Sequence, residues 1–163
     1  MKQLAIATLI SLAGLSGPAW AHGNDKHVKP ATAVQKEQKP WGIAGDAKQV
    51  RRTITLKMTD NMRFTPDRVD VKLGETVRFV VHNDGKMLHE LVIGTKKELD
   101  EHAALMLKFP NMAHDEPYMV HVDPGKKGEI DWTFNRAGEF DFACLIAGHY
   151  QAGMVGKILV SAQ

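Results

Sequence analysis

From Thr53 onward, polar and apolar residues alternate in short runs. Thr53-Ile54-Thr55-Leu56-Lys57-Met58 does so cleanly, with the period of two expected of a half-buried strand. Val69, Val71 and Leu73 alternate in the next run, Gly74-Glu75 marks a turn, and Thr76 to His82 is dense in β-branched residues, which fit a pleated surface. Leu88–Ile93, Tyr118–Val122, Gly128–Phe134, Glu139–Ala143 and Lys157–Val160 supply further strand patterns. One stretch breaks the rhythm. Thr95 with Glu98 three residues on predicts a capping box, and Leu99, Ala103, Met106 and Leu107 then share one helical face. Phe109 to Pro117 carries two prolines and reads as a loop. Many short strands with regular turn signals argue for a sandwich or barrel with one inserted helix.

The residues before Thr53 follow a different logic. Met1-Lys2 supplies positive charge, Leu4 to Leu15 is apolar, and Pro18-Ala19-Trp20-Ala21 ends in Ala-x-Ala. This predicts an export signal over residues 1–21, cleaved to leave His22 as the N-terminus. The apolar run is too short to span a bilayer, which takes about 20 residues, so no membrane insertion is expected after cleavage. Residues 22–50 are rich in lysine, glutamine, proline and glycine and predict a flexible arm, with Trp41 and Ile43 docking its end. Residues 51–163 remain as one domain, a usual size. At 44% hydrophobic and 25% charged the composition is that of an ordinary globular protein. A net charge of +2 gives no field to draw in nucleic acid or anionic membranes. The expected destination is the periplasm.

Export makes the single cysteine informative. Cys144 has no internal partner for a disulfide, so it is intermolecular, an inert buried residue, a reactive thiol or a ligand. Its neighbours favour the last. Cys144, His149 and Met154 form C-x4-H-x4-M in one loop between strands, with Gly148 and Gly153 allowing tight turns. Thiolate and thioether are soft donors, imidazole is intermediate, and two histidines, one cysteine and a weak methionine make the trigonal site of electron-transfer copper. The second histidine must come from another strand. His89, opening a strand just after Asn83-Asp84-Gly85, is the best candidate; His82 reads as structural and His102 as a solvated helix residue.

Over roughly residues 53–163 the sequence resembles the cupredoxin family. Phe64-Thr65-Pro66, Val69, Val71, Gly74-Glu75-Thr76-Val77 and Asn83 are similar to its N-terminal half, and Gly153-Met154-Val155-Gly156-Lys157 to the end of the plastocyanin copper loop. The resemblance implies an all-β, Greek-key β-sandwich and a type 1 copper held by His89, Cys144, His149 and Met154. It is closest to the periplasmic copper-tolerance cupredoxins. Two departures stand out: Glu90, where many relatives carry a small polar residue, and the Lys96–Pro117 insertion.

Met106, Met112, His114, Met119 and His121 gather around that insertion, and Met119 and His121 share a strand face. Met112, His114, Met119 and His121 are therefore a candidate second, weaker copper site, since both side-chain types are copper donors. His22 and His27 add donors in the arm. The expected function is a redox-active periplasmic protein that binds or oxidises Cu(I) in copper tolerance. The alternative is a dedicated carrier shuttling electrons between periplasmic partners. A superfamily enzyme is not expected: copper nitrite reductases and multicopper oxidases need further domains, and a dinuclear purple site needs a second cysteine. Expected partners are copper ions and either a periplasmic redox protein or a copper-export system.

Overall fold

Each alternating run becomes a strand. The computed structural model describes residues 36–162, apart from 111 and 113. The export signal, most of the arm, His22 and His27 lie outside the described residues. Ten strands follow in order: β1 (Ile43–Ala44), β2 (Arg52–Thr59), β3 (Arg63–Thr65), β4 (Arg68–Lys72), β5 (Thr76–Asn83), β6 (His89–Gly94), β7 (Met119–Val122), β8 (Lys127–Thr133), β9 (Gly138–Ala143) and β10 (Val155–Ser161). One α-helix, α1 (Lys96–Lys108), lies between β6 and β7.

The strands form two five-stranded sheets, ordered β1-β8-β5-β2-β3 and β4-β10-β9-β6-β7. The chain therefore changes sheet repeatedly, as between β5 and β6 and between β8 and β9. Alternation decides the packing. Leu56, Met58, Val77, Phe79, Val81, Ile130 and Trp132 of the first sheet meet Val69, Val71, Leu91, Ile93, Phe142, Ile158 and Val160 of the second in one core. This is an all-β sandwich. Strand β6 is buried along its whole length, because its two faces have different covers. Leu91 and Ile93 face the sandwich core, while Val92 faces a second apolar cluster with Leu99, Ala103 and Met106 of the helix.

The helix begins as its sequence predicts. The Thr95 side chain accepts from the Glu98 backbone N–H, and the Glu98 side chain reaches back to the Thr95 N–H, satisfying two groups that have no intrahelical partner. Leu99, Ala103 and Met106 are buried, but Leu107 is 53% exposed. It falls at the edge of the stripe, beyond the reach of the sheet. Leu73, which continued the alternation past β4, is likewise exposed at the turn. Among the described residues no helix is long and apolar enough to cross a membrane.

The packed body begins before residue 51. Trp41 is 3% exposed, its carbonyl accepts from Trp132 Nε1 at 3.1 Å, and its ring packs edge-on against Tyr118. Ile43 and Ala44 pair with β8. Trp41 and Ile43 thus dock the end of the polar segment, through the buried ring of the one and the strand pairing of the other.

Candidate metal centre

Three elements bring His89, Cys144 and His149 to one point. His89 opens β6 and Cys144 immediately follows β9, two strands that are hydrogen-bonded neighbours. His149 sits in the loop from Cys144 to Met154, which folds on itself. His149 N–H donates to the Ile146 carbonyl at 2.9 Å, Met154 N–H to the His149 carbonyl at 3.1 Å, and Cys144 N–H to the Met154 carbonyl at 3.1 Å. Gly148 and Gly153 take φ of +92° and +90°, a region costly for residues with a Cβ. The loop is anchored from outside by Arg63, which donates to the Ala152 carbonyl at 2.9 Å, and by the Tyr150 hydroxyl, which donates to Asp100 of the helix at 2.6 Å.

The result is a buried donor set. Cys144 Sγ lies 3.3 Å from His149 Nδ1 and 3.9 Å from His89 Nδ1. His89, Cys144 and Met154 are wholly buried and His149 nearly so. Asp60 sets which His89 nitrogen is free. Its Oδ1 accepts from His89 Nε2 at 3.1 Å, leaving the Nδ1 lone pair to face the sulfur. A carboxylate behind a ligating imidazole fixes both tautomer and ring orientation. Asp60 is held in turn by the backbone N–H groups of Lys86 and Met87, and those bonds, the Lys86 one foremost, lower its pKa. Gly85 makes room for it: a Cβ there would fall 2.1 Å from Asp60 Oδ1. Asn83 closes the same turn, donating to the Met87 and Val122 carbonyls at 2.8 Å each.

The electrostatics suit a cation. Burial pushes the Cys144 thiol up to about 12, so without a positive charge nearby the sulfur holds its proton. Burial, and the neighbouring His89 after it, lower the His149 pKa, which keeps that imidazole neutral. Glu90 N–H donates to Cys144 Sγ at 3.4 Å. Two imidazoles and a sulfur that a metal would deprotonate are donors that copper accepts.

The other sequence candidates fare differently. His82 lies on β5 in the opposite sheet, paired with Lys127. His114 and His121 do meet, with ring centroids 5.2 Å apart. Met119 shares the β7 face of His121 but packs in the apolar cluster under the helix, and Met112 is 39% exposed. Two residues missing from the expected second set stand beside those histidines. Glu90, wholly buried, has Oε2 2.8 Å from His121 Nε2. His102 is not a solvated helix residue: its ring lies 4.8 Å from that of His114 and its Nε2 is buried. Three residues after Leu99 and four before Met106, His102 lies on the flank of the buried stripe, where it meets the loop carrying His114.

The sequence pattern of the copper-binding proteins of the plastocyanin/azurin family matches residues 50–161. The chain is 42% identical to the copper-resistant cuproprotein CopI of Rubrivivax gelatinosus, over 96% of this chain and 93% of that one. It is 35% identical to the CopI of Pseudomonas aeruginosa, over 98% and 97%. Among solved structures, auracyanin B superposes with a TM-score of 0.61 at 17% identity, covering 77% of this chain and 99% of that one. The reduced auracyanin of Roseiflexus castenholzii gives 0.59 at 19% identity, covering 69% and 98%. At such identities these two speak for the fold.

Proposed function

The chain belongs to the plastocyanin/azurin family of copper-binding proteins, and from that premise we propose that it is a redox-active periplasmic protein that binds copper in the service of copper tolerance. One copper is held by His89, Cys144 and His149, with Met154 as a weaker fourth donor. The observation that carries the ligand assignment is the convergence of donor atoms of His89, from β6, and of Cys144 and His149, from one loop 55 residues further on, within 4.8 Å of one another. Tolerance is supported by the length and level of the match to proteins named for copper resistance. Export is supported by the Lys2, Leu4–Leu15 and Ala19-Trp20-Ala21 pattern.

The site suits both oxidation states of copper, because a preformed mixture of sulfur and imidazole donors leaves little to rearrange when an electron moves. Cys144→Ser is expected to abolish the intense visible sulfur-to-copper absorption of the Cu(II) form. A variant that kept the band would refute the ligand set. Deleting the gene is expected to lower growth in excess copper while leaving respiration at low copper intact. The opposite pair of results, a respiratory defect with normal copper tolerance, would make the protein a dedicated electron carrier instead.

A further inference from the structure

We propose that Glu90, His114 and His121 form a second metal site, on the opposite face of β6 from the Cys144 centre, that takes Cu(II) through imidazole and carboxylate donors. Side chains alternate across a strand, so adjacent residues His89 and Glu90 point to opposite faces of β6. Glu90 pairs directly with His121 across the β6–β7 ladder, and opposed side chains in such a ladder are close neighbours. His114 arrives from the loop after α1, and His102 stands against it from the helix. Donor atoms of Glu90, His114 and His121 all lie within 4.8 Å of one another.

The hydrogen bonding argues for a cation rather than for mutual pairing. His114 Nδ1 lies 2.8 Å from the Met112 carbonyl, an acceptor only, so Nδ1 carries the proton and Nε2 presents a lone pair. That Nε2 is buried without a hydrogen-bond partner, and so is Glu90 Oε2. The two are 3.8 Å apart, too far for a hydrogen bond. His121 Nε2 comes within 2.8 Å of the same oxygen, yet the approach does not meet hydrogen-bond geometry. A wholly buried carboxylate oxygen is costly to leave unmatched, and a metal ion matches all three groups together. Imidazole with carboxylate suits Cu(II) and Zn(II) rather than Cu(I), and at a given nitrogen–oxygen site Cu(II) binds the more tightly. The thioethers expected of a Cu(I) site are not the converging groups.

The site is wired to its neighbour. Glu90 Oε1 accepts from Leu145 N–H at 2.8 Å, while its backbone N–H donates to Cys144 Sγ. Metal at Oε2 therefore acts on a residue that touches the sulfur, though the second site stands without any ligand role for Cys144.

The test is Cu(II) titration of the whole protein with its N-terminal segment, followed by visible absorption and electron paramagnetic resonance. The wild type is expected to take a further equivalent that adds no sulfur-to-copper band but shifts the existing one, with a resonance spectrum of nitrogen and oxygen ligation. His114→Ala/His121→Ala is expected to lose one equivalent and the shift while keeping the band itself, which reports an intact fold. Should that pair disturb folding, His121→Ala alone decides, since His121 is 37% exposed. Cys144→Ser is expected to lose the band and keep the nitrogen–oxygen signal, which separates failure at either site from failure at the other. The proposal is overturned if the further equivalent survives the histidine substitutions, if replacing His22 and His27 removes it instead, or if the site takes Zn(II) and leaves Cu(II) out.

Discussion

A cysteine is a good metal ligand only once its proton is gone. At Cys144 burial favours the thiol, with its pKa pushed up to about 12, so metal must displace a proton. Copper uptake is expected to release one proton from Cys144 at neutral pH, and affinity to rise about tenfold per pH unit while the free thiol stays protonated. Calorimetry in buffers of different ionisation enthalpy checks the count. The sign for the metal-free chain is the reverse. The folded thiol keeps its proton above the 9.0 of a free one, so stability is full below pH 9.0 and falls as pH climbs toward about 12. Asp60 acts at one remove from the sulfur, through His89 Nε2. Asp60→Ala is expected to weaken copper binding by about 10–100-fold, whereas Asp60→Asn, which keeps an acceptor oxygen, should retain most of it. Competition against a chelator measures both.

At the scale of elements, the helix supports the metal loop without supplying a donor to it. Its buried stripe covers Val92, Ala143 and Leu145, residues adjoining the strand ends that carry Cys144 and Glu90, and Asp100 holds the Tyr150 hydroxyl. Thr95→Ala removes the capping box and is expected to cost about 1 kcal/mol of stability, read by urea unfolding. The visible band of the loaded protein should stay in place, because the helix contacts the loop from outside. Sheet register has the more direct chemical consequence. Pairing Glu90 with His121 is what assembles a carboxylate–imidazole pair behind the copper ligands. A slip of one residue would turn His121 to the opposite face of the sheet.

Across the whole molecule, the sandwich extends into the segment that composition marks as an arm. Trp41 stacks with Trp132 at 6.5 Å and meets Tyr118 edge-on at 5.3 Å, closing the side of the core next to β1. Trp41→Ala is expected to destabilise the fold by about 3–5 kcal/mol, a large fraction of a small domain's stability, read as a lowered unfolding midpoint. We also propose that the independently folding unit starts before Trp41 and not at residue 51.

The strands could be read from the sequence because alternation is a local signal: a residue's period fixes which face it shows, whatever packs there. The same holds for the start of α1, where Thr95 and Glu98 satisfy each other within one turn, and for Cys144, His149 and Met154, which one short loop gathers. β3 and β1 were too short to show a period. His89 was legible as a candidate only because a missing donor was sought at a strand start. Which nitrogen it presents was decided by Asp60, far away in sequence. Glu90 shows the limit most clearly. As a letter it was a departure from a familiar pattern; its burial, its bond to Leu145 and its nearness to His114 and His121 arise from β6 being covered on both faces. Periodicity assigns a face, but only the folded chain decides what lies against it.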